Sequence, residues 1–457
     1  MKTVHNQSHF EQLRSDYPFF EYQNYRFLEE ENAYRLQFNF NLGNKYTFQP
    51  ETVIPKKSFF KTSVNQDLLH WMAFHIGMVE LISYWKLACP PLVIIKPFQL
   101  KTEQLSWWKK LYFNGLGEFF YVNDISTSIE NFMEIRCDSS KIGLAAEITP
   151  QPLTIVPVGG GKDSVVTLEL LKKSHKTIVP LIVNPRKASS DTASVAGFSP
   201  EATIVINRSI DPLLLQLNSA GFLNGHTPFS ALLAFHSAFA ALITGAGNIA
   251  LSNESSASES TVHGENINHQ YSKSFEFESD FRFYLNRFIV KGVNYFSFLR
   301  PLSELQIAFQ FSKLPEYHAV FRSCNAGSKT DSWCGKCPKC LFTFLILSPF
   351  LKEKELKAIF GKNLLEDTQL SYTLEELRGK TAAKPFECVG TVEEVELAVR
   401  SVVQRYDGID KPLLINMLME TDAGQIQTDL KIALRHFDPQ HFLDESFIKI
   451  LKDAIGN

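Results

Sequence analysis

A chain of 457 residues is long enough for about three domains at roughly 150 residues each. Its 46 Lys+Arg against 49 Asp+Glu leave a formal net charge of −3, so no general basic field favours nucleic acid or an anionic membrane as partner. With 44% hydrophobic, 12% aromatic and 21% charged residues the chain can bury a sizeable core and is neither disordered nor fibrous, and its 38 Phe read as core filling.

The opening MKTVHNQSHFEQLRSDYPFF is polar and carries acids, with no apolar stretch behind its Lys, so a cytoplasmic rather than a secreted protein is expected. Residues 1–150 read as an α+β accessory domain without a chemical motif. YRLQFNFNLGNKYTFQ alternates like strands around a turn at Leu42-Gly43-Asn44, helices are expected over 68–87 and 102–114, and a strand, PPLVIIKPF, falls between them.

From Leu153 the rhythm becomes apolar strand, glycine turn, helix and strand, the pattern of an α/β fold with a parallel, doubly wound sheet, assigned to residues 151–347. Strands are expected over 154–158, 178–183, 203–207, 248–252 and 296–300, with helices over 163–173, 229–244 and 304–311. Residues 212–253 lack Asp, Glu, Lys and Arg, but glycines, asparagines and Pro228 interrupt them. The helical part is shorter than the roughly 20 residues a bilayer needs, so a buried helix and a central strand are expected there. Residues 348–457 read as a helical C-terminal domain, in which Thr373-Leu-Glu-Glu376 and Thr391-Val-Glu-Glu394 both fit the capping box.

The sharpest chemical signal is TIVPVGGGKDS, where an apolar strand runs through Gly159, Gly160, Gly161, Lys162, Asp163 and Ser164 into a helix. Glycines let the backbone amides approach a ligand, and the helix N-terminus adds its free N–H groups and positive dipole end. Lys162 would supply a mobile cation, Ser164 a hydroxyl and Asp163 a ligand for magnesium. The spacing is neither Walker A nor G-x-G-x-x-G. A ligand-free turn is the alternative.

Four of the seven cysteines, Cys324, Cys334, Cys337 and Cys340, sit within 17 residues, and two of the gaps are of two residues. Four soft thiolates suit tetrahedral zinc and leave no open position, which points to a structural Zn2+. An iron–sulfur cluster competes, because successive two-residue gaps also occur in ferredoxin-type runs. Lys336, Lys339 and Arg322 would offset the site's negative charge. Cys89, Cys137 and Cys388 read first as small buried hydrophobes.

The strand NIALSNES ends in Asn253 and Glu254, where the ligands of such a sheet gather, and a polar loop follows with His263, Asn268, His269, Gln270 and Lys273 as recognition groups. A solvated loop is the alternative.

GGGKDS resembles the SGGxDS loop of the ATP-pyrophosphatase (PP-loop) superfamily, with Gly159 where the family usually has Ser. That resemblance implies ATP, with Mg2+, bound by Gly159 to Ser164, Asn253 and Glu254. The cysteine stretch, with RPLSEL upstream, is similar to the zinc-binding end of the 7-cyano-7-deazaguanine synthases. The leading domain, GGGKDS, LSNESSAS, HQYSKS, CGKCPKC and KPFECVGTVEE together resemble the UDP-N-acetylmuramoyl-L-alanyl-L-glutamate epimerases of peptidoglycan synthesis. This implies a small-molecule UDP-muramoyl-dipeptide substrate, with no nucleic acid or membrane partner. ATP would turn the terminal carboxylate into a neutral acyl-adenylate whose α-hydrogen a base can remove. Besides Lys162 and Asp163, the groups able to carry that catalysis are His263, His269, Lys273 and Cys388, and Lys384 is a candidate carboxylate or phosphate partner. The competing readings are an amide- or nitrile-forming enzyme of the deazaguanine-synthase kind and a PP-loop tRNA-modifying enzyme.

Overall fold

The computed structural model describes residues 7–61, 63–262, 264, 267–406, 410–421 and 429–456. Strand β1 (Phe19–Glu29) pairs antiparallel with β2 (Ala33–Leu42), and β2 in turn with β3 (Tyr46–Phe48) and β4 (Glu51–Pro55). In β2 the alternation of the sequence becomes two faces: Tyr34, Leu36, Phe38 and Phe40 are buried, while Arg35, Gln37 and Asn39 lie on the other side. Gly43 and Asn44, at φ +55° and +58°, turn the chain from β2 into β3, as the sequence predicts. Strands β5 (Leu92–Ile95) and β6 (Glu134–Cys137) extend this sheet in parallel beyond β1.

After β7 (Ala146–Glu147) the chain enters β8 (Gln151–Pro157), β9 (Thr177–Val183), β10 (Ile204–Ser209), β11 (Ala246–Leu251), the short β12 (Val290–Lys291) and β13 (Asn294–Ser297). Five of these stand parallel in the order β13-β11-β8-β9-β10, while β7 and β12 pair separately. The chain therefore lays β8, β9 and β10 outward in one direction, then returns to add β11 and β13 on the other side of β8. Such a reversal opens a crevice at the carboxyl ends of β8 and β11.

Both faces of this part are covered, because neighbouring residues in one strand point to different cores. Ile155, Ile249 and Leu251 pack with the helix Phe229–Thr244, whereas Val156, Ile182 and Ala250 pack with the helix Lys162–Lys173. On its other edge β10 pairs antiparallel with β4, so that among the described residues eleven strands form one mixed sheet. The helix Phe229–Thr244 has the predicted bounds and ends on Gly245 in the left-handed region, φ +76°. Among the described residues no helix is long and apolar enough to cross a membrane.

The C-terminal helices, among them Val392–Arg405 and Glu445–Ile455, bury Val395, Val399, Phe447 and Leu451 in the same core as Lys162–Lys173. The capping box at Thr391 forms: Glu394 N donates to Thr391 Oγ1 (3.2 Å) and Thr391 N to Glu394 Oε2 (2.7 Å). The one expected at Thr373 does not. Asp367 accepts from Gln369 N and starts a 3-10 turn, Thr368–Leu370, which leads directly into the helix Ser371–Leu377, so Thr373 lies inside the first helical turn.

Candidate active site

The glycine loop leaves β8 at the crevice, and Gly161 serves as N-cap of Lys162–Lys173 with no side chain capping the helix. Its glycines are not equivalent. Gly160 has φ +86°, and a Cβ there would lie 2.7 Å from the Ala188 carbonyl carbon and the Ser189 nitrogen. A Cβ on Gly161 would meet Ser323 Oγ at 2.9 Å, whereas one on Gly159 would meet nothing within 4 Å. The position where the resemblance leads one to expect Ser is thus the open one. Two arginines that sequence reasoning left out of the loop hold its carbonyls: Arg186 Nη2 donates to Gly159 O (3.3 Å) and Arg322 N to Gly160 O (2.8 Å).

Lys162 is not the mobile cation expected. It is 3% exposed, and its ammonium is shared between Asp163 and Glu304, the first residue of the helix Glu304–Ser312. Burial opposes the charge of Asp163, but Lys162 and Lys339 outweigh it and hold its pKa below the usual carboxylate value. Burial pushes Glu304 up to about 7 against the pull of Lys162. At the end of β11, Asn253 Nδ2 donates to Ser297 Oγ (3.0 Å). Glu254 is buried, which raises its pKa, with Lys273 pulling the other way.

Lys273 lies in the 3-10 turn Tyr271–Lys273, and its Nζ is 3.0 Å from Cys388 Sγ. His269 hydrogen-bonds Glu118 Oε2 through Nδ1 at 2.5 Å, and His269 and Cys388 favour each other's charged forms. Burial disfavours a thiolate at Cys388, yet Lys273 and His269 overcome it and bring its pKa down to about 5. Burial likewise disfavours the imidazolium, but Cys388 and Glu118 raise His269 to about 9. Asp163 and Glu254 act on Lys273 electrostatically, so the thiol cluster and the glycine loop share one field.

The other loop residues divide. Asn268 is spent on the loop itself, donating to Ala257 O (2.9 Å) and accepting from Gln270 N (2.7 Å). Gln270 Oε1 is buried without a hydrogen-bond partner. Lys384 is buried, paired with Glu259 and donating to Gly390 O (2.8 Å). His263 lies outside the described residues. Glu118 and His226 were missed because the chain brings them in from segments without a motif of their own, and Lys339, read only as a counter-charge to the cysteine cluster, reaches the Cys388 carbonyl as well.

The four knuckle cysteines converge. Sγ–Sγ separations are 3.7 Å for Cys324–Cys337 and Cys334–Cys340 and 3.5 Å for Cys337–Cys340, close to the edge of about 3.8 Å that follows from Zn–S bonds of about 2.3 Å. The amides of Gly327 and Cys334 donate to Cys324 Sγ at 3.1 and 3.4 Å, as thiolates require. These residues fit a closed four-cysteine site of the structural zinc type. Cys337 is also the N-cap of the helix Pro338–Leu347. That helix ties the four-cysteine site to the segment of Cys388: Lys339 N donates to Glu387 Oε2 (2.7 Å) and the Lys339 ammonium to Cys388 O.

The family model of the MurL N-terminal domain matches residues 11–298 and that of the MurL C-terminal domain residues 320–431. The chain is 36% identical over 365 residues to the UDP-N-acetyl-alpha-D-muramoyl-L-alanyl-L-glutamate epimerase of a Micromonospora species, covering 78% of this chain and 79% of the relative. It is 36% identical over 373 residues to the protein of the same name from Salinispora tropica (78% and 77% covered). With that from Xanthomonas oryzae pv. oryzae it shares 32% identity over 397 residues (84% and 87%). Matched along most of its length by both measures, the chain belongs to the MurL family of UDP-N-acetyl-alpha-D-muramoyl-L-alanyl-L-glutamate epimerases.

Proposed function

We propose that this chain inverts the α-carbon of the terminal L-glutamate of UDP-MurNAc-L-Ala-L-Glu in peptidoglycan precursor synthesis, after ATP has converted that residue's carboxylate into an acyl-adenylate. Inversion needs a base, and an ionised carboxylate next to the α-carbon would resist a second negative charge. The acyl-adenylate is neutral at that carbonyl and can delocalise the carbanion.

In this reading the main-chain amides from Gly159 to Ser164 hold the pyrophosphate that leaves, with Arg186 and Arg322 beside them. The superfamily suggested by the loop is that of the ATP pyrophosphatases, and the strand reversal at β8 and β11 is where their nucleotide would lie. Asp163 and Glu254 are the carboxylates to hold Mg2+, which when bound offsets phosphate charge. Cys388, held as a thiolate, takes the α-proton, one of its two cationic neighbours, Lys273 or His269, returns a proton to the opposite face, and water then cleaves the acyl-adenylate, releasing AMP and restoring the carboxylate. The carrying observation is the Cys388 sulfur 3.0 Å from the Lys273 ammonium in the field of Asp163 and Glu254. An amide- or nitrile-forming use of the same loop, or one in tRNA modification, would leave this base without a task.

The test is to incubate the protein with ATP, magnesium and UDP-MurNAc-L-Ala-L-Glu and to measure AMP, PPi and the chirality of the glutamate recovered. D-Glutamate appearing with AMP is expected, and Asp163→Ala should abolish both. Glutamate that stays wholly L while ATP turns over on another acid would refute the reading.

A further inference from the structure

The segment around residue 118 carries no motif, yet it forms a wall of the thiol cluster. The short helix Gly117–Val122 follows directly on the helix Thr102–Gly115 and presents Glu118 in its first turn. It lies hard against the loop that carries His226: a Cβ on Gly115 would come within 2.7 Å of Pro228, and one on Gly225 within 2.9 Å of Phe119. That loop is tied down by Leu223 N donating to Leu87 O (3.0 Å), Asn123 Nδ2 to Asn224 O (3.0 Å) and the buried Lys86 ammonium to Gly225 O.

Glu118 Oε2 consequently lies 2.5 Å from His269 Nδ1 and 3.5 Å from His226 Nδ1. The first is a close imidazole–carboxylate contact, shorter than the roughly 2.7–2.9 Å usual for a charge-assisted N–H···O bond. It is too short for two ligands of one metal ion, whose oxygen and nitrogen stand about 3 Å or more apart at bonds of about 2.0–2.2 Å. An imidazole engaged through Nδ1 in this way has Nε2 left for the sulfur of Cys388.

We infer that Glu118 is a positioning residue for the epimerisation: its carboxylate orients the ring of His269 and keeps it charged, so that Glu118, His269 and Cys388 form a carboxylate–imidazolium–thiolate chain whose first link comes from the N-terminal region. The arrangement follows the general logic by which a third group orients the partner of an activated nucleophile or base. It rests on the reading of Cys388 as the base. The charged and titratable groups around His269 are Cys388 from the segment after Lys384, Glu118 from its helix, His226 with Lys86 behind it, and Lys273 on the same loop. Burial and the charge of His269 keep His226 down at about 4, so the two rings, 4.6 Å apart, do not both carry charge near neutrality.

The experiment uses full-length Glu118→Gln, Glu118→Asp and Cys388→Ser. Two readouts are followed against pH: kcat/KM for epimerisation and the rate at which iodoacetamide alkylates Cys388, with Cys388→Ser as the blank. Glu118→Gln is expected to lower kcat by about 100-fold with KM changed less than about threefold, and to move the alkaline limb of the profile down by about one pH unit. The alkylation midpoint should not rise, because His269 still holds its proton where Cys388 titrates, at about 5, and only the Glu118 charge is gone. Glu118→Asp, which keeps the charge, should retain the alkaline limb and recover kcat to within about tenfold. A Glu118→Gln protein with the wild-type alkaline limb and kcat would overturn the positioning role and leave Cys388 as base. Should that variant not fold, a Glu118→Asp protein whose limb moves as far as a lost charge demands would do the same. Epimerisation retained by Cys388→Ser would instead overturn the reading on which the inference rests.

Discussion

In the knuckle, Cys337 lies between Cys324 at 3.7 Å and Cys340 at 3.5 Å, whereas Cys388 faces an ammonium at 3.0 Å and an imidazolium. Cys89 is different again: buried among apolar side chains, it has its pKa pushed up by desolvation, which Arg14 and Lys86 do not offset. Burial therefore does not sort these thiols. Cys388 is held as a thiolate because its cations outweigh burial, the knuckle sulfurs are suited to a metal because they surround one another, and at Cys89 desolvation outweighs the pull of Arg14 and Lys86. The metal site and the reactive thiol nevertheless meet in one residue, Lys339, which binds Glu387 and Cys388 from the knuckle helix.

The largest effect is expected from Cys340→Ser. With structural zinc contributing on the order of 10 kcal/mol to folding, this variant should lose its metal and its cooperative thermal transition, while the wild type should show about one zinc per chain by elemental analysis. Iron in its place would make the knuckle a cluster site. Next comes Cys388→Ser, expected to lose about 1,000-fold or more in epimerisation with metal content kept and the melting temperature within a few degrees. If metal were lost as well, the two kinds of thiol would not be separable.

A smaller and graded effect is expected from pH. Cys388 has its pKa depressed to about 5, so the thiolate is lost as pH falls through that value. His269 has its pKa raised to about 9, so the imidazolium is lost as pH rises through that one. The profile of kcat/KM should be bell-shaped between these limits, with both limbs belonging to the coupled pair. A profile governed by a single group near neutrality would detach His269 from Cys388. The smallest effects concern glycines outside both thiol groups. Gly160→Ala meets backbone at a positive φ and should cost about 1–3 kcal/mol and slow AMP formation, whereas Gly159→Ser projects into open space and should stay within about 0.5 kcal/mol in a denaturant titration. Neither should alter metal content.

Much of this was legible in the chain, for a reason that particular residues make plain. The turn at Gly43-Asn44, the helix Phe229–Thr244, the box at Thr391 and the convergence of Cys324, Cys334, Cys337 and Cys340 all depend on backbone preferences and short spacings. Lys162, by contrast, looked like a free cation because its partner Glu304 is 142 residues away. Asn268 looked like a recognition group because the carbonyl it holds, Ala257 O, is known only once the loop has folded. Thr373 met the sequence rule for a cap, and a competing 3-10 turn upstream took its place.

The amino-acid sequence by itself determined where the backbone could bend sharply, which faces were apolar and which thiols lay close enough along the chain to share an ion. Only the tertiary structure decided which of its histidines, lysines and carboxylates stand around Cys388. Proton affinity in a buried pocket is set by charges a few ångströms away in space, and here they arrive from Glu118, from the loop of His269 and Lys273, and from Lys339, on three separate stretches of the fold.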